Sequence, residues 1–195
     1  MYLGFKDCNG AIGARFVQVK ETNNDCILFR LESASLSGKT FMIQSKVDSN
    51  KYLDKSMSTA DDNKIHLWQR NGNPNQKFYF RLADVDEKSG KEFYYIRNLN
   101  NYQYLINYSY GVMNGTPIVT VKDPGFNDWA TMYYLEKYDD NYYYIRSRFG
   151  KNVNGKWESD RCIDVNGGNA NNGTKIQLWK CNPGFNGQLF KLIEQ

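Results

Sequence analysis

The feature that most constrains the fold of this chain is an internal repeat. The segment KIHLWQRNGNPNQKFYF at residues 64–80 recurs as KIQLWKCNPGFNGQLFKL at residues 175–192. Both copies have Lys-Ile, one polar residue, Leu-Trp, a turn rich in Asn, Gly and Pro, and then Gln-x-Phe. Repetition of this kind indicates that each copy folds as the same small unit, and that neighbouring units share one core.

Each complete copy contains four short strand signals separated by turn residues. In the third copy they lie at 142–148, 162–165, 174–180 and 188–193. The same order occurs in the first copy at 40–45, 52–56, 64–69 and 76–82, and in the second copy at 93–98, 104–107, 115–127 and 131–137. No segment shows sustained helical periodicity. We therefore expect three units of four strands, at about 39–90, 91–138 and 139–195.

A partial copy precedes these units. Residues 15–20 match 117–122, and residues 27–39 parallel 78–91. This front part has the second to fourth strands of a unit but lacks the first. Because 39–195 already holds three full units, we expect 1–38 to form an additional N-terminal β segment, or arm, and hypothesise that it holds a homodimer together. The alternative is a barrel that closes with this front fragment and frees part of the C-terminal tail.

Short strands punctuated by turns predict a closed all-β architecture, either a barrel or a sandwich. Aromatic residues make up 15% of the chain, and mean hydropathy is −0.71, so the apolar material suits pleated, half-buried surfaces. Threefold repetition favours a threefold barrel over a sandwich. Closure of a barrel also removes the exposed sheet edges that invite aggregation.

Composition excludes several classes of function. The net charge of +4 is modest and its cations are scattered among acidic residues, so we expect no nucleic-acid partner. No apolar run approaches the roughly 18 residues of a membrane span, and no signal peptide is visible, so a cytoplasmic location or non-classical export is expected. His66 is the only histidine, and no CxxC or HExxH motif is present. We therefore expect no metal site and no cofactor.

The segment CIDVNGGNANNGTKIQLWKCNPGFNGQLF at 162–190 closely resembles a unit of the ricin B-chain type lectins. The resemblance covers roughly 39–195 and implies a β-trefoil, which has three four-stranded units around a pseudo-threefold axis. The Gln-x-Trp signature of that family is Gln76-Lys77-Phe78 in copy one, Gln188-Leu189-Phe190 in copy three, and Thr131-Met132-Tyr133 in copy two. Phe78 and Phe190 are interpreted as core residues.

The resemblance also implies a sugar site in copy three. Asp164 would accept hydrogen bonds from sugar hydroxyls and Trp179 would stack on the sugar ring. Gln177 would support the carboxylate, and Asn166 would lie on the rim. Asn186 would be the amide that donates to the sugar, with Gln188 behind it.

A second site is implied in copy one. There Asp54 is the acceptor, Trp68 the stacking platform and Asn75 the amide, with Gln76 behind it. His66 replaces the supporting glutamine. Since histidine titrates near neutral pH, this replacement would make the site pH-sensitive.

Copy two and the front fragment depart from this pattern. Copy two has Ile106, Val119 and Val121 where the acceptor, the supporting Gln and the Trp belong, and the fragment has Gly4 and Val19. Neither is expected to bind sugar.

In the family, cysteines at the positions of Cys162 and Cys181 form a disulfide, so the resemblance implies the same bond here. Copy one has Tyr52 and Arg70 at these two positions. Two reduced, buried thiols are the alternative.

The leading interpretation is a lectin for galactose or N-acetylgalactosamine. Two sites would cross-link glycans and agglutinate cells. The alternative is a protein-binding trefoil, such as a protease inhibitor or scaffold, in which the Trp residues are core and the Asp residues are turn formers. A glycosidase needs two carboxylates facing one bond, and each site offers one Asp, so no enzymatic activity is expected.

Overall fold

The computed structural model describes residues 35–195 except 62, 124, 126, 127, 150, 154 and 155. Before residue 35 it describes only strands β1 (Arg15–Gln18) and β2 (Phe29–Glu32), which pair antiparallel with Arg15 opposite Glu32. The chain divides into two compact parts, Met1–Leu36 and Ser37–Gln195. The repeat matches proposed at Gly4 and Val19 lie outside the described residues.

The second of these parts contains three units of four strands, as the repeat predicts. Unit one comprises β3 (Thr40–Ser45), β4 (Lys51–Lys55), β5 (Ile65–Gln69) and β6 (Lys77–Val85). Unit two comprises β7 (Glu92–Asn98), β8 (Tyr104–Asn107), β9 (Ile118–Val121) and β10 (Met132–Lys137). Unit three comprises β11 (Tyr143–Ser147), β14 (Arg161–Val165), β15 (Thr174–Lys180) and β16 (Phe190–Glu194), with an extra hairpin of β12 (Lys151–Val153) and β13 (Lys156–Glu158) inserted after its first strand.

The first and fourth strands of the units form a closed barrel. Going round it, β3 pairs with β6, β6 with β7, β7 with β10, β10 with β11, and β11 with β16. Pairing of β16 with β3, from Phe190 opposite Ser45 to Glu194 opposite Phe41, closes the ring. This arrangement confirms the all-β trefoil.

The second and third strands of each unit form three hairpins: β4–β5, β8–β9 and β14–β15. These hairpins meet one another around the pseudo-threefold axis. β15 pairs with β5 at Thr174 and Leu67, while bridges join Lys64 to Val119 and Pro117 to Gln177. Each hairpin is therefore held by its two neighbours, so the side chains on it have fixed positions.

The barrel core is aromatic. Phe78, Tyr133 and Phe190 occupy equivalent positions near the start of the fourth strands, and each is 0% exposed. The prediction that Phe78 and Phe190 are core residues is confirmed. The Tyr133 hydroxyl donates to Asn107 Oδ1 at 3.0 Å, and burial raises the pKa of Tyr133.

The inserted hairpin of unit three was not foreseen. Its sequence, KNVNGKWE at 151–158, holds an Asn-Gly dipeptide between two short runs, which is a strong hairpin signal. Alignment of the repeats gives no indication of this hairpin, because units one and two have no counterpart.

In the part of the chain that the structure describes, no helix has the length and apolar character that a membrane span requires.

Candidate functional site

One position in the hairpins carries a carboxylate in units one and three. Asp54 lies opposite His66 across hairpin β4–β5, and Asp164 lies opposite Gln177 across hairpin β14–β15. Alternate residues of a strand share a face, so the tryptophan two residues after each partner projects from the same side of the hairpin. The fold thus brings together a carboxylate, a supporting side chain and an indole in two of its three units.

In unit three, Asp164 is held by two glutamines. Its Oδ1 accepts from Gln177 Nε2 and its Oδ2 from Gln188 Nε2, both at 3.0 Å. Gln177 Nε2 also donates to Asn166 Oδ1 at 3.2 Å, and Asn166 is exposed. Burial raises the pKa of the Asp164 carboxyl, and the bonds from Gln177 and Gln188 offset part of that rise. An ionised carboxylate offers about four acceptor positions, so about two remain for a ligand.

In unit one, Asp54 accepts from three side chains. Its Oδ1 lies 3.1 Å from His66 Nε2, and its Oδ2 accepts from Asn75 Nδ2 at 2.7 Å and from Asn71 Nδ2 at 3.2 Å. About one acceptor position therefore remains free. Asn71 was not among the predicted site residues, although it occupies the same place after the strand as Asn182 does in unit three.

The two indoles are accessible. Trp179 is 42% exposed, and Trp68 is half-buried. The Trp68 ring stacks on His66, with ring centroids 5.1 Å apart and an interplanar angle of 23°. An aromatic face that is fixed and open to solvent can pack against the C–H face of a sugar ring.

Each indole lies beside a turn of the neighbouring unit, a contact that comparison of the repeats did not reveal. A Cβ added at Gly173 of unit three would lie 3.9 Å from the Trp68 ring, and one at Gly115 of unit two 4.0 Å from the Trp179 ring. Both glycines belong to an Asn-Gly-Thr turn.

The asparagines of these turns anchor them beside the tryptophans. Asn172 Oδ1 accepts from the backbone N–H of Gln69 at 2.9 Å, and Asn114 Oδ1 accepts from that of Lys180 at 2.8 Å. The residue that follows each tryptophan is therefore fixed by the adjacent unit. The Asn-Gly-Thr sequence shared by units two and three was the one sequence feature that could have indicated these contacts.

The glutamine of the Gln-x-Phe motif fixes the turn before the fourth strand. Gln76 Nε2 donates to the carbonyl of Gln69 at 2.8 Å, and its Oε1 accepts from the N–H of Asn71 at 2.8 Å. Gln188 Nε2 donates likewise to the carbonyl of Lys180 at 3.0 Å. In unit one, Asn75 rather than Gln76 contacts the carboxylate.

Asn186 does not take the place of Asn75. The equivalent short turns are Pro74–Gln76 and Asn186–Gln188, so Gly187 corresponds to Asn75 and Asn186 to Pro74. Asn186 is exposed, and no hydrogen bond joins it to Asp164 in the part of the chain described. A one-residue insertion between the tryptophan and the glutamine of unit three hid this register in the sequence.

Cys162 and Cys181 form a disulfide, with their Cα atoms 5.1 Å apart. The bond links the start of β14 to the residue after β15, next to the site. In unit one Tyr52 and Arg70 stand there, and the Tyr52 hydroxyl instead accepts from Gln44 Nε2 at 3.0 Å. A disulfide across a loop of this size stabilises the fold by about 3 kcal/mol.

Unit two has an apolar cluster in the same position. Ile106 lies opposite Val119, as Asp164 lies opposite Gln177, and both side chains are buried. They pack with Ala130, Val121 and Phe149. At the positions equivalent to Asp164 and Trp179, unit two has Ile106 and Val121, so neither a carboxylate nor an indole stands there. Among the described residues, no group of three His, Cys, Asp or Glu side chains could hold a metal ion.

Comparison with known families and structures agrees with this architecture. A family model described as ricin-type beta-trefoil lectin domain-like matches residues 28–121 and, again, 74–179. A search of curated proteins gave no match.

Several solved structures share the fold at low sequence identity. The designed threefold-symmetric protein ThreeFoil superposes with a TM-score of 0.64 at 16% identity, covering 80% of this chain and 99% of that one. The ricin B-like lectin of Macrolepiota procera, in complex with lactose, gives 0.58 at 20% identity, covering 82% and 97%. The Rhizoctonia solani agglutinin gives 0.61 at 17% identity, covering 84% and 100%.

Proposed function

This chain belongs to the family of ricin-type β-trefoil lectin-like domains, and from that premise we propose that it is a non-enzymatic lectin for galactose or N-acetylgalactosamine. Units one and three are its two binding sites. The observation that carries the proposal is the pairing of a hydrogen-bonded carboxylate with an accessible indole, built twice at equivalent positions.

The chemistry of these two groups suits a sugar of the galactose type. Such a sugar has one face of C–H groups and an array of hydroxyls. The indole packs on the face, and the carboxylate accepts charge-assisted hydrogen bonds from neighbouring hydroxyls. Because a misplaced hydroxyl would leave a buried polar group unpaired, the carboxylate discriminates between epimers. The lactose bound by the Macrolepiota procera lectin contains a galactose unit and supports this choice of sugar.

Two sites on one chain make the protein multivalent. A single contact set of this kind gives millimolar affinity, about −4 kcal/mol. Attachment at one site raises the effective concentration of glycan at the other, so a surface rich in glycans is held far more tightly than a free sugar. Cross-linking of glycans and agglutination of cells follow from this arrangement.

We further propose that the arm at 1–38 is a dimerisation segment. A homodimer would present four sites rather than two. Light scattering of the full chain and of a chain that begins at Lys39 tests this idea, and an equal protomer count in the two would refute it.

Glycosidase chemistry is not favoured by the geometry. Hydrolysis needs two carboxylates roughly 5–9.5 Å apart across one glycosidic bond. In each proposed site, the partners of the single carboxylate are amides or an imidazole. A binding role uses all of these contacts and requires no second carboxylate.

Isothermal titration with galactose, together with retention on a galactose column, tests the proposal. The wild-type chain should bind about two sugars per chain and be retained. The double variant Asp54→Asn, Asp164→Asn should flow through. Asp140→Asn, which changes an exposed carboxylate paired with Lys137, is the matched control and should be retained. A double variant that binds like the wild type would refute the assignment of these sites.

A further inference from the structure

The ring of Phe185 fills the space in unit three that an amide fills in unit one. Asn75 of unit one donates to Asp54, and its counterpart in unit three is Gly187. A Cβ added at Gly187 would lie only 2.5 Å from Phe185 Cε1 and 3.0 Å from its Cζ. No larger side chain fits at Gly187 while the phenyl ring is there.

Phe185 also touches the turn on the other side of the carboxylate. A Cβ added at Gly168 would lie 3.1 Å from Phe185 Cζ, and Gly168 has a φ of +64°, which favours glycine. Gly168 follows Asp164 by four positions, and Gly187 directly precedes Gln188, which donates to Asp164. Phe185 is half-buried, so part of it is open to solvent, and its ring lies against both turns that border the carboxylate.

The two sites therefore differ in the chemistry of their rims. In unit one, the amides of Asn71 and Asn75 donate to the carboxylate, and the residue equivalent to Phe185 is the exposed Asn73. In unit three the corresponding rim is a phenyl ring. A polar rim offers partners to hydroxyls, whereas a phenyl rim favours an apolar substituent and leaves a hydroxyl unpaired.

We propose that Phe185 determines the specificity of unit three, which selects an N-acetylated sugar by packing the acetamido methyl group against the phenyl ring. Unit three then prefers N-acetylgalactosamine to galactose, while unit one does not. This inference rests on the proposed function, since it assumes that Asp164 and Trp179 bind a sugar. Burial of one methyl group is worth about a fourfold change in affinity, which is the preference we expect.

The test uses the full chain carrying Asp54→Ala, which leaves unit three as the only proposed site. Galactose and N-acetylgalactosamine are titrated separately, and the Trp179 indole resonance is followed by NMR. In this background we expect about fourfold tighter binding of N-acetylgalactosamine. Phe185→Asn, which introduces the residue found in unit one, should abolish the preference, so that the two sugars bind unit three with equal affinity. Phe185→Leu keeps an apolar side chain at this position and should retain most of the preference for N-acetylgalactosamine.

The outcomes separate this inference from the proposed function. Binding of neither sugar to the Asp54→Ala chain would refute unit three as a sugar site and, with it, the proposal of two binding sites. Equal affinity for the two sugars, or a preference that survives Phe185→Asn, would overturn the role of Phe185 and leave the lectin proposal intact. Asn73→Ala in a chain carrying Asp164→Ala is the matched control in unit one, where no change in the ratio of the two affinities is expected.

Discussion

Conversion of each carboxylate to an amide should weaken the two sites by different amounts. Asp164 accepts two hydrogen bonds from the protein, and Asp54 accepts three. A carboxylate has about four acceptor positions, so about two are free in unit three and about one in unit one. Asparagine at either position removes the charge and replaces one acceptor oxygen with a donor.

The expected magnitudes follow from the number of free positions. A hydrogen bond to a charged group contributes about 1.5 kcal/mol at the lower end of the usual range. Asp164→Asn should therefore cost unit three about 3 kcal/mol, which is roughly a hundredfold in affinity, and Asp54→Asn should cost unit one roughly tenfold. Starting from a millimolar Kd for galactose, unit three of Asp164→Asn binds too weakly to measure, whereas binding at unit one of Asp54→Asn remains measurable.

The assay is a galactose titration followed through the indole resonances of Trp68 and Trp179, which report on the sites separately. In Asp164→Asn the Trp179 signal should stop responding while the Trp68 signal keeps its midpoint. In Asp54→Asn the Trp68 midpoint should rise about tenfold while the Trp179 midpoint is unchanged. Equal losses in the two variants, or a larger loss for Asp54→Asn, would refute this account of the free acceptor positions.

Three further predictions concern unit three. Because burial raises the pKa of Asp164, sugar affinity at unit three should fall as pH drops through that pKa, whereas protonation of this buried group itself adds to the free energy of unfolding. Galactose titrations by NMR, and urea melts of the wild type and of Asp164→Asn, each at falling pH, check the opposite signs; a fall in the stability of the wild type relative to Asp164→Asn would contradict them. Replacement of Cys162 and Cys181 by alanine should lower the free energy of unfolding by about 3 kcal/mol in urea melts, and an unchanged midpoint would contradict the structural role of the disulfide. Gly115→Ala places a Cβ at a φ of +85° beside the Trp179 ring, so we expect a loss of about 1 kcal/mol of stability and weaker sugar binding at unit three alone; equal weakening at unit one would argue against the contact between units.

The repeat predicted the architecture because strand and turn signals are local, and the resemblance to the ricin B-chain type lectins singled out the Asp and Trp pairs that the hairpins bring together. Four strand signals per unit fix which strands form the hairpins, and the period of two in a strand places Asp164 and Gln177 on one face. Threefold repetition then leaves the barrel as the way to bury the aromatic residues of the fourth strands. Phe78 and Phe190 could be identified as core for that reason.

Contacts between units could not be read from the repeats. Gly115 and Gly173 support indoles that belong to other copies, and alignment of the copies compares equivalent positions rather than touching ones. Asn71 was missed because it lies in the irregular turn after the strand, where no periodicity applies.

A small change in loop length concealed the rim of unit three. The turn between Trp179 and Gln188 is one residue longer than the turn between Trp68 and Gln76. Matching by residue type therefore assigned Asn186 to the position of Asn75, whereas the structure places Gly187 there.

A crystal structure of the protein soaked in galactose would show directly whether Asp54 with Trp68, and Asp164 with Trp179, bind the sugar. We predict one sugar in unit one, stacked on Trp68 with hydroxyls donating to Asp54, and one in unit three, stacked on Trp179 with hydroxyls donating to Asp164. Unit two, with its apolar cluster, should hold none. Sugar bound elsewhere, or absent while both indoles remain accessible in the lattice, would contradict this prediction.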